Sequence, residues 1–412
     1  MTNDILNLNL KKINSLIQKN EIDEAEKLLV ILKNIAPPEL ILNLNGLIKF
    51  RKKDYKSSIK FYNKSIKINP NYLSAYTNLF SVYNKIENFI ESEKIIREAL
   101  KLYPKSDIIN NALGYSLLKQ NKNEEAIIFF KIAITLNSKN FKAYFNIGNA
   151  YFKISNLQKS ILYFEKTYEI NSKAPETTFY LAECNKGLKN YDKALSYYKI
   201  SLNEKNSWLR RNKIIAKILE CYLILNKKED YLKDISIYSK KEPDNRRIAA
   251  TSAFIAHQFN IKDQYPFCPN PLDFIYKSTL ASYFKNYKTF LDSIFNEIMS
   301  LNFIWEGHTT RNGYRTTENL SEKKLPFMTK LEKNILLEVN QYFQIYKNKK
   351  IKFIENWPEK FKFQSWSNRL TKQGHNITHI HPGGWISAVF YLKIPKDIKN
   401  NEAGIEFSLH GD

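Results

Sequence analysis

The sequence predicts an α+β protein of more than one domain, in which an α-solenoid of helical hairpins fills the first 240 or so residues and short antiparallel strands close the chain. Three observations predict it. Small residues and prolines recur every 34 positions, three prolines between Pro266 and Pro271 then exclude a continuing helix, and from about residue 361 apolar and polar residues alternate. With 412 residues, 43% hydrophobic and 25% charged, the chain has globular composition and room for two or three folding units. Disordered and fibrous classes are excluded.

The hairpin array comes first, over residues 1–243. Gly46, Gly114 and Gly148 are separated by 68 and 34 residues, Ala126 and Ala194 by 68, and Pro70 and Pro104 by 34. One frame accommodates them all, with segments 6–38, 39–72, 73–106, 107–140, 141–174 and 175–208 and a degraded seventh to about 243. In segment 141–174, Tyr144, Ile147, Gly148 and Tyr151 share one helix face, Ile161, Phe164 and Tyr168 share another, and SNLQ makes the turn. The small residue at Gly148 lets the two helices approach, and a second small residue (Ser160 here, Ala126 and Ala194 elsewhere) receives the aromatic of the first helix. The pattern resembles the tetratricopeptide repeat, with Pro37, Pro70 and Pro104 ending second helices. That resemblance implies a concave groove, built from first helices, that binds a protein or peptide partner. Asn78, Asn111, Asn146 and Asn149 are the groove candidates, able to bond the backbone of an extended peptide or simply to form a solvated helix face.

Residues 244–360 are the junction and a helical part. Helical spacing returns over 276–301 (Phe284, Phe290, Ile294, Phe295, Ile298) and 328–347 (Leu331, Ile335, Leu336, Val339, Tyr342, Phe343), with HTTRNGYRTTENL as a polar loop between them. Residues 361–412 then read as four short strands, FKFQSWSNRL, HNITHIH, WISAVFYLKIP and GIEFSL, joined by tight turns at Gly374, Gly383, Gly384 and Gly404. Trp366, Trp385 and Phe390 are expected in the core.

Three of the six histidines, His375, His379 and His381, lie within seven residues. On a strand His379 and His381 share a face, so both imidazoles can reach one metal ion, or both can sit at a strand end facing solvent. THIHPGGWISAVFYLKIP with AGIEF resembles the first half of the double-stranded β-helix of Fe(II)- and 2-oxoglutarate-dependent oxygenases. CPNPLDF, TTRNGYRTTENL and SWSNRL are similar to the 2-oxoglutarate oxygenase domain that follows tetratricopeptide repeats in bacterial proteins, and the likeness covers roughly residues 265–412. It implies a partial, jelly-roll-like β-helix and a hydroxylase-like dioxygenase using Fe(II) and 2-oxoglutarate. His379 and His381 would stand where the first metal ligands lie, with the sequence leaving open which of the two binds, and Tyr391 and Arg369 would either bond the 2-oxoglutarate or serve as a core tyrosine and a surface arginine. His375 orients or packs. The same family places a distal histidine and a basic residue further on, so the resemblance implies a truncated domain and an inactive 412-residue chain. A non-catalytic repeat scaffold is the alternative. His410 and Asp412 follow the GIEFSL strand, and their H-x-D spacing is read as accidental.

The formal charge of +23 would attract nucleic acid or an anionic membrane in principle. Arginine is scarce, however, and lysine, asparagine, isoleucine, tyrosine and phenylalanine are abundant together, as a coding bias toward A and T produces. Neither nucleic acid nor membrane is therefore an expected partner. The chain has no run of eighteen uncharged apolar residues, and its start lacks the order of a secretory signal, so a cytoplasmic protein is expected. Cys184, Cys221 and Cys268 form no C-x-x-C pair and read as packing residues. The sequence contains no P-loop, G-x-G-x-x-G or G-x-S-x-G.

Overall fold

The structure is a computed structural model that describes residues 2–174, 176–204, 210–306, 310–376 and 385–394. By packing, the chain divides into two units, Met1–Glu204 and Lys205–Asp412.

The first unit is six helical hairpins: α1 (Thr2–Gln18) with α2 (Ile22–Leu32), α3 (Pro38–Arg51) with α4 (Tyr55–Ile68), α5 (Leu73–Lys85) with α6 (Phe89–Leu102), α7 (Asp107–Lys119) with α8 (Asn123–Leu136), α9 (Phe141–Lys153) with α10 (Leu157–Ile170), and α11 (Thr177–Gly187) with α12 (Tyr191–Leu202). Each frame segment becomes one hairpin because its two amphipathic helices bury facing stripes and leave no room for a longer helix. The turn is set by the backbone. Lys53, Glu87, Asn121, Ser155 and Lys189, one per 34 or so residues, all take a left-handed conformation with φ between 57° and 62°. The amide of the next residue then donates to the carbonyl five residues back, as from Asp54 to Lys49 (2.9 Å), Asn88 to Tyr83 (2.9 Å) and Asn156 to Tyr151 (2.9 Å). That same next residue starts the second helix. Asp54, Asn88 and Asn156 accept from the amides of Ser57, Glu91 and Lys159 and cap α4, α6 and α10.

The glycines seat aromatic rings. A Cβ on Gly114 would lie 2.6 Å from the Phe130 ring, and one on Gly46 or Gly148 would lie 2.6 or 2.9 Å from Tyr62 or Phe164. Each ring fills the space the missing side chain leaves. Ser58 and Ser160 add a hydrogen bond across the same hairpins, donating to the carbonyls of Gly46 (2.7 Å) and Gly148 (2.8 Å). Between hairpins, the Ser92 hydroxyl meets that of Ser116 at 2.8 Å, so the small residue of one segment also serves the next. A continuous core of Tyr76, Leu79, Ile96, Leu113, Leu117, Phe130 and Ile147 follows.

Glu93 on α6 ties two successive hairpins together. Its carboxylate accepts from Arg97 (2.8 Å), Gln120 (2.8 Å) and Lys122 (2.9 Å), and Arg97 also pairs with Glu125 (2.7 Å). Burial alone would raise its pKa, but the three donors outweigh burial and hold it down at about 2. Because the folded value lies below the unfolded one, the stabilisation is present above about pH 4.5 and is lost as pH falls toward 2. Glu93→Gln is accordingly expected to cost about 1–2 kcal/mol at pH 7 and to flatten the loss of thermal stability between those pH values, as followed by circular dichroism melts. An unchanged acid profile would show that the cluster does not hold the array.

In the second unit, α13 (Arg211–Ile224) and α14 (Lys228–Lys241) form the degraded seventh hairpin, and α15 (Arg246–Gln258) packs against α13. This last helix lies in a stretch that sequence phase did not assign. Asn245 caps it, accepting from Arg247 and Ile248, and Ile248, Ala249, Ala253, Ile255 and Ala256 are buried. Further on come α16 (Tyr287–Met299), α17 (Pro326–Tyr346), α18 (Lys352–Glu355) and a three-stranded antiparallel sheet in the order β1 (Phe303–Glu306), β2 (Thr310–Thr316), β3 (Asn368–Asn376). The helix expected from residue 276 begins only at Tyr287. From residue 276 to that point the chain has only a short 3-10 turn at Ala281–Tyr283 and is held to α17 by Tyr276 and Tyr283, whose hydroxyls donate to Glu338 at 2.8 and 2.6 Å.

Two expectations for the C-terminal part are corrected. The loop HTTRNGYRTTENL contains β2, because Thr310 and Thr316 are buried and their hydroxyls are satisfied, Thr310 donating to Asn376 (2.8 Å) and Thr316 accepting from Ser367 (3.1 Å). Of the first two expected strands, NRL and HN are the two ends of a single strand, β3, and its connection from β2 is long rather than a tight turn. Gly374 lies inside that strand, where a Cβ would come within 2.5 Å of the Asn312 carbonyl at the bulge in the ladder. Residues 385–394 form no ladder among the described residues, and GIEFSL lies outside them.

Candidate functional site

The first candidate is the polar face of the first helices. Asn78 on α5 donates to Asn43 on α3 at 2.9 Å, and Asn146 on α9 donates to Asn111 on α7 at 3.0 Å. The asparagines expected in a groove are thus partly satisfied by one another. Each primary amide has two N–H donors and a carbonyl with two lone pairs, so a single mutual bond leaves capacity for a further partner. Asn43 and Asn146 are buried, whereas Asn78, Asn111 and Asn149 keep partial exposure.

The second candidate is the C-terminal sheet and the segment after it. Arg369 is exposed on β3 opposite Tyr314, and His375 is exposed on the same strand opposite Arg311. Tyr391 lies in segment 385–394, 41% exposed, between Phe390 and Leu392, which pack on the cluster of Phe290, Ile294, Leu320 and Leu331. Partial burial raises the pKa of its hydroxyl. No hydrogen bond joins Arg369 to Tyr391 among the described residues. His379 and His381 lie outside the described residues, as do His410 and Asp412. No group of three His, Cys, Asp or Glu side chains that could hold a metal ion occurs among the described residues.

The aromatic residues divide differently from expectation. Trp385 packs as expected, with its ring 5.5 Å from Phe267 and 6.0 Å from Phe353. Trp366 is instead 38% exposed, with the Arg315 guanidinium 4.8 Å from its ring centroid. It follows Ser365, whose amide and carbonyl are engaged with Asn319 and Leu320, and that leaves the indole on the outer side of the strand-like segment. The cysteines are packing residues: Cys184 and Cys221 are buried, and burial pushes the thiols of Cys184 and Cys268 up to about 11 and about 12.

The hairpin geometry and its seated rings define a protein of the tetratricopeptide-repeat class. Tetratricopeptide-repeat families match residues 41–72, 114–155 and 141–173, and the family described as "Putative 2OG-Fe(II) oxygenase" matches residues 364–408. The chain therefore carries tetratricopeptide repeats over residues 41–173 and a match to that oxygenase domain at 364–408. It is 30% identical over 154 residues to "TPR repeat-containing protein MJ1428" of Methanocaldococcus jannaschii, covering 35% of this chain and 26% of the relative. With "Tetratricopeptide repeat protein 6" of Homo sapiens it shares 28% identity over 107 residues, covering 25% and 21%. The chain thus spans about a quarter of the length of these relatives. Among solved structures, pilF of Pseudomonas aeruginosa aligns with 16% identity over 52% of this chain and 97% of that one, with a TM-score of 0.44. No helix among the described residues is long and apolar enough to cross a membrane.

Proposed function

We propose that the repeat array holds a polypeptide and that the C-terminal part belongs to an Fe(II)- and 2-oxoglutarate-dependent hydroxylase acting on protein. The observation that carries this reading is the oxygenase-family match over 364–408, which spans Arg369, His379, His381 and Tyr391, in one chain with an array whose class binds polypeptides. His379 and His381 are the proposed metal ligands, and Arg369 and Tyr391 the proposed contacts to 2-oxoglutarate. The described residues supply no donor set of their own, so no reaction step is assigned to them.

A second reading is a scaffold without turnover, supported by the six-hairpin repeat array of the first unit, against which the oxygenase match is confined to residues 364–408. Anaerobic titration of the full chain with Fe(II), followed by a succinate assay with 2-oxoglutarate and O₂, separates the two. The hydroxylase reading expects Fe(II) affinity to fall about tenfold or more in His379→Ala and in His381→Ala, and little change in His257→Ala or His308→Ala. Succinate formation sinks the scaffold reading. Fe(II) binding unaffected by either ligand substitution sinks the metal assignment.

A further inference from the structure

The repeat frame carries a charge pattern that no ion pair among the described residues neutralises. Arg51, Lys85, Lys119 and Lys153 stand at the same position of four successive segments, each 34 residues from the next, and each is the last residue of its first helix. All four are exposed, and none forms an ion pair with a described acidic residue. A cation at a helix C-terminus complements the helix dipole, and any one of them needs no further reason. The row as a whole does. The first helices touch in sequence, α3 with α5, α5 with α7 and α7 with α9, so the four cations form one line across the array. Lys119 stands near enough to Lys153 for like-charge repulsion to add to burial in lowering the Lys153 pKa, which no neighbouring carboxylate offsets.

We propose that this row is the docking edge for an extended acidic segment of a partner protein, with a carboxylate at about every third residue. The spacing argues for it. Packed helices lie about 8–10 Å apart, and a chain in the polyproline II conformation rises about 3.1 Å per residue with about three residues per turn, so one step along the row matches about three residues of peptide and returns the side chain to the same face. The partly exposed Asn78 precedes Lys85 by seven residues, which places amide and ammonium on one face of α5, the amide suited to main-chain groups and the ammonium to side-chain carboxylates. A single-stranded nucleic acid would need free ring faces for its bases. Here the Lys119 ammonium already lies over Tyr115 and Phe89, 5.4 and 6.0 Å from their centroids. Lys153 is held at the edge by the Leu118 carbonyl (3.1 Å) and Asn121 (3.4 Å), which fixes its position without neutralising it.

This inference rests on the reading of the array as a polypeptide binder, and the test keeps the two apart. Fluorescence anisotropy of the full chain would be measured with a labelled peptide of four Asp-Ala-Ser units, the same peptide with Asn for Asp, and a single-stranded oligothymidylate of equal charge. The acidic peptide is expected to bind at about 50 mM salt and to weaken about tenfold or more by about 300 mM. The variant carrying Arg51→Gln, Lys85→Gln, Lys119→Gln and Lys153→Gln, all exposed positions where Gln keeps helix propensity, is expected to lose about as much. Equal binding of the acidic and asparagine peptides, unchanged in that variant, overturns the row while polypeptide binding stands. No binding of the acidic peptide at low salt also overturns it. Tighter binding of the oligothymidylate through the same four residues overturns it in favour of nucleic acid. The polypeptide reading is probed separately by Asn78→Ala with Asn111→Ala, both partly exposed, which is expected to weaken both peptides alike. If that variant leaves both unchanged while charge dependence persists, the asparagines fall and the row remains.

Discussion

Phe130→Ala is expected to lower the stability of the first unit by about 3–5 kcal/mol. The ring is fully buried at the centre of the array, in the core that also holds Leu113, Leu117 and Ile147. It occupies the site where Gly114 lacks a side chain, so truncation removes the transfer energy of a phenyl group and leaves a cavity that rigid helices on both sides cannot collapse. In a solenoid the damage spreads only to neighbours. α7 and α8 lose their mutual seat, and the interfaces with α6 and α9 lose support, so denaturant unfolding by circular dichroism is expected to shift to a lower midpoint and to broaden. A shift worth less than about 1 kcal/mol would show that the ring is not the seat of this hairpin.

Gly114→Ala is expected to cost about 1–3 kcal/mol by overpacking. The added methyl would lie 2.6 Å from one Phe130 ring carbon, 2.7 Å from another and 3.0 Å from the Ala126 carbonyl, so both ring and backbone must move. If the ring is the main obstacle, the cost should fall to a few tenths of a kcal/mol in the Phe130→Ala background. A double-mutant cycle in denaturant measures this directly. Full additivity would place the strain at the Ala126 carbonyl instead.

The array was legible because its signals are local and repeated. Gly46, Gly114 and Gly148 announced the close approach, and a 34-residue frame placed every first and second helix of the first unit. The C-terminal sheet was less so. β2 hides behind Asn312, Gly313 and Arg315, which read as loop, and it becomes a strand only through partners from 303–306 and 368–376. α15 was missed because its buried Ala249, Ala253 and Ala256 belong to no repeat position and it lies between the loss of the 34-residue phase and the prolines from Pro266. The site reading came from motif likeness, and its central residues, His379 and His381, lie outside the described residues. The basic row was visible as spacing all along, and only a reading of charge inside the repeat frame brings it out.

The separation in sequence between bonded partners sets a timetable for synthesis. In the first unit, the longest of the bonds from one hairpin to the next, Asn78 to Asn43, Asn146 to Asn111 and Lys153 to Leu118, each reach back 35 residues. Each hairpin can therefore dock as soon as it leaves the ribosome, and the closed loops remain short. The second unit has to wait. Thr371 reaches back 59 residues to Asn312, Asn376 pairs with Thr310 across 66, and Asn356 bonds Asp244 across 112. While those strands are being made, β2 has no β3 to pair with, and it is this nascent interval, rather than the finished fold, that exposes the chain most to misassembly and to chaperones.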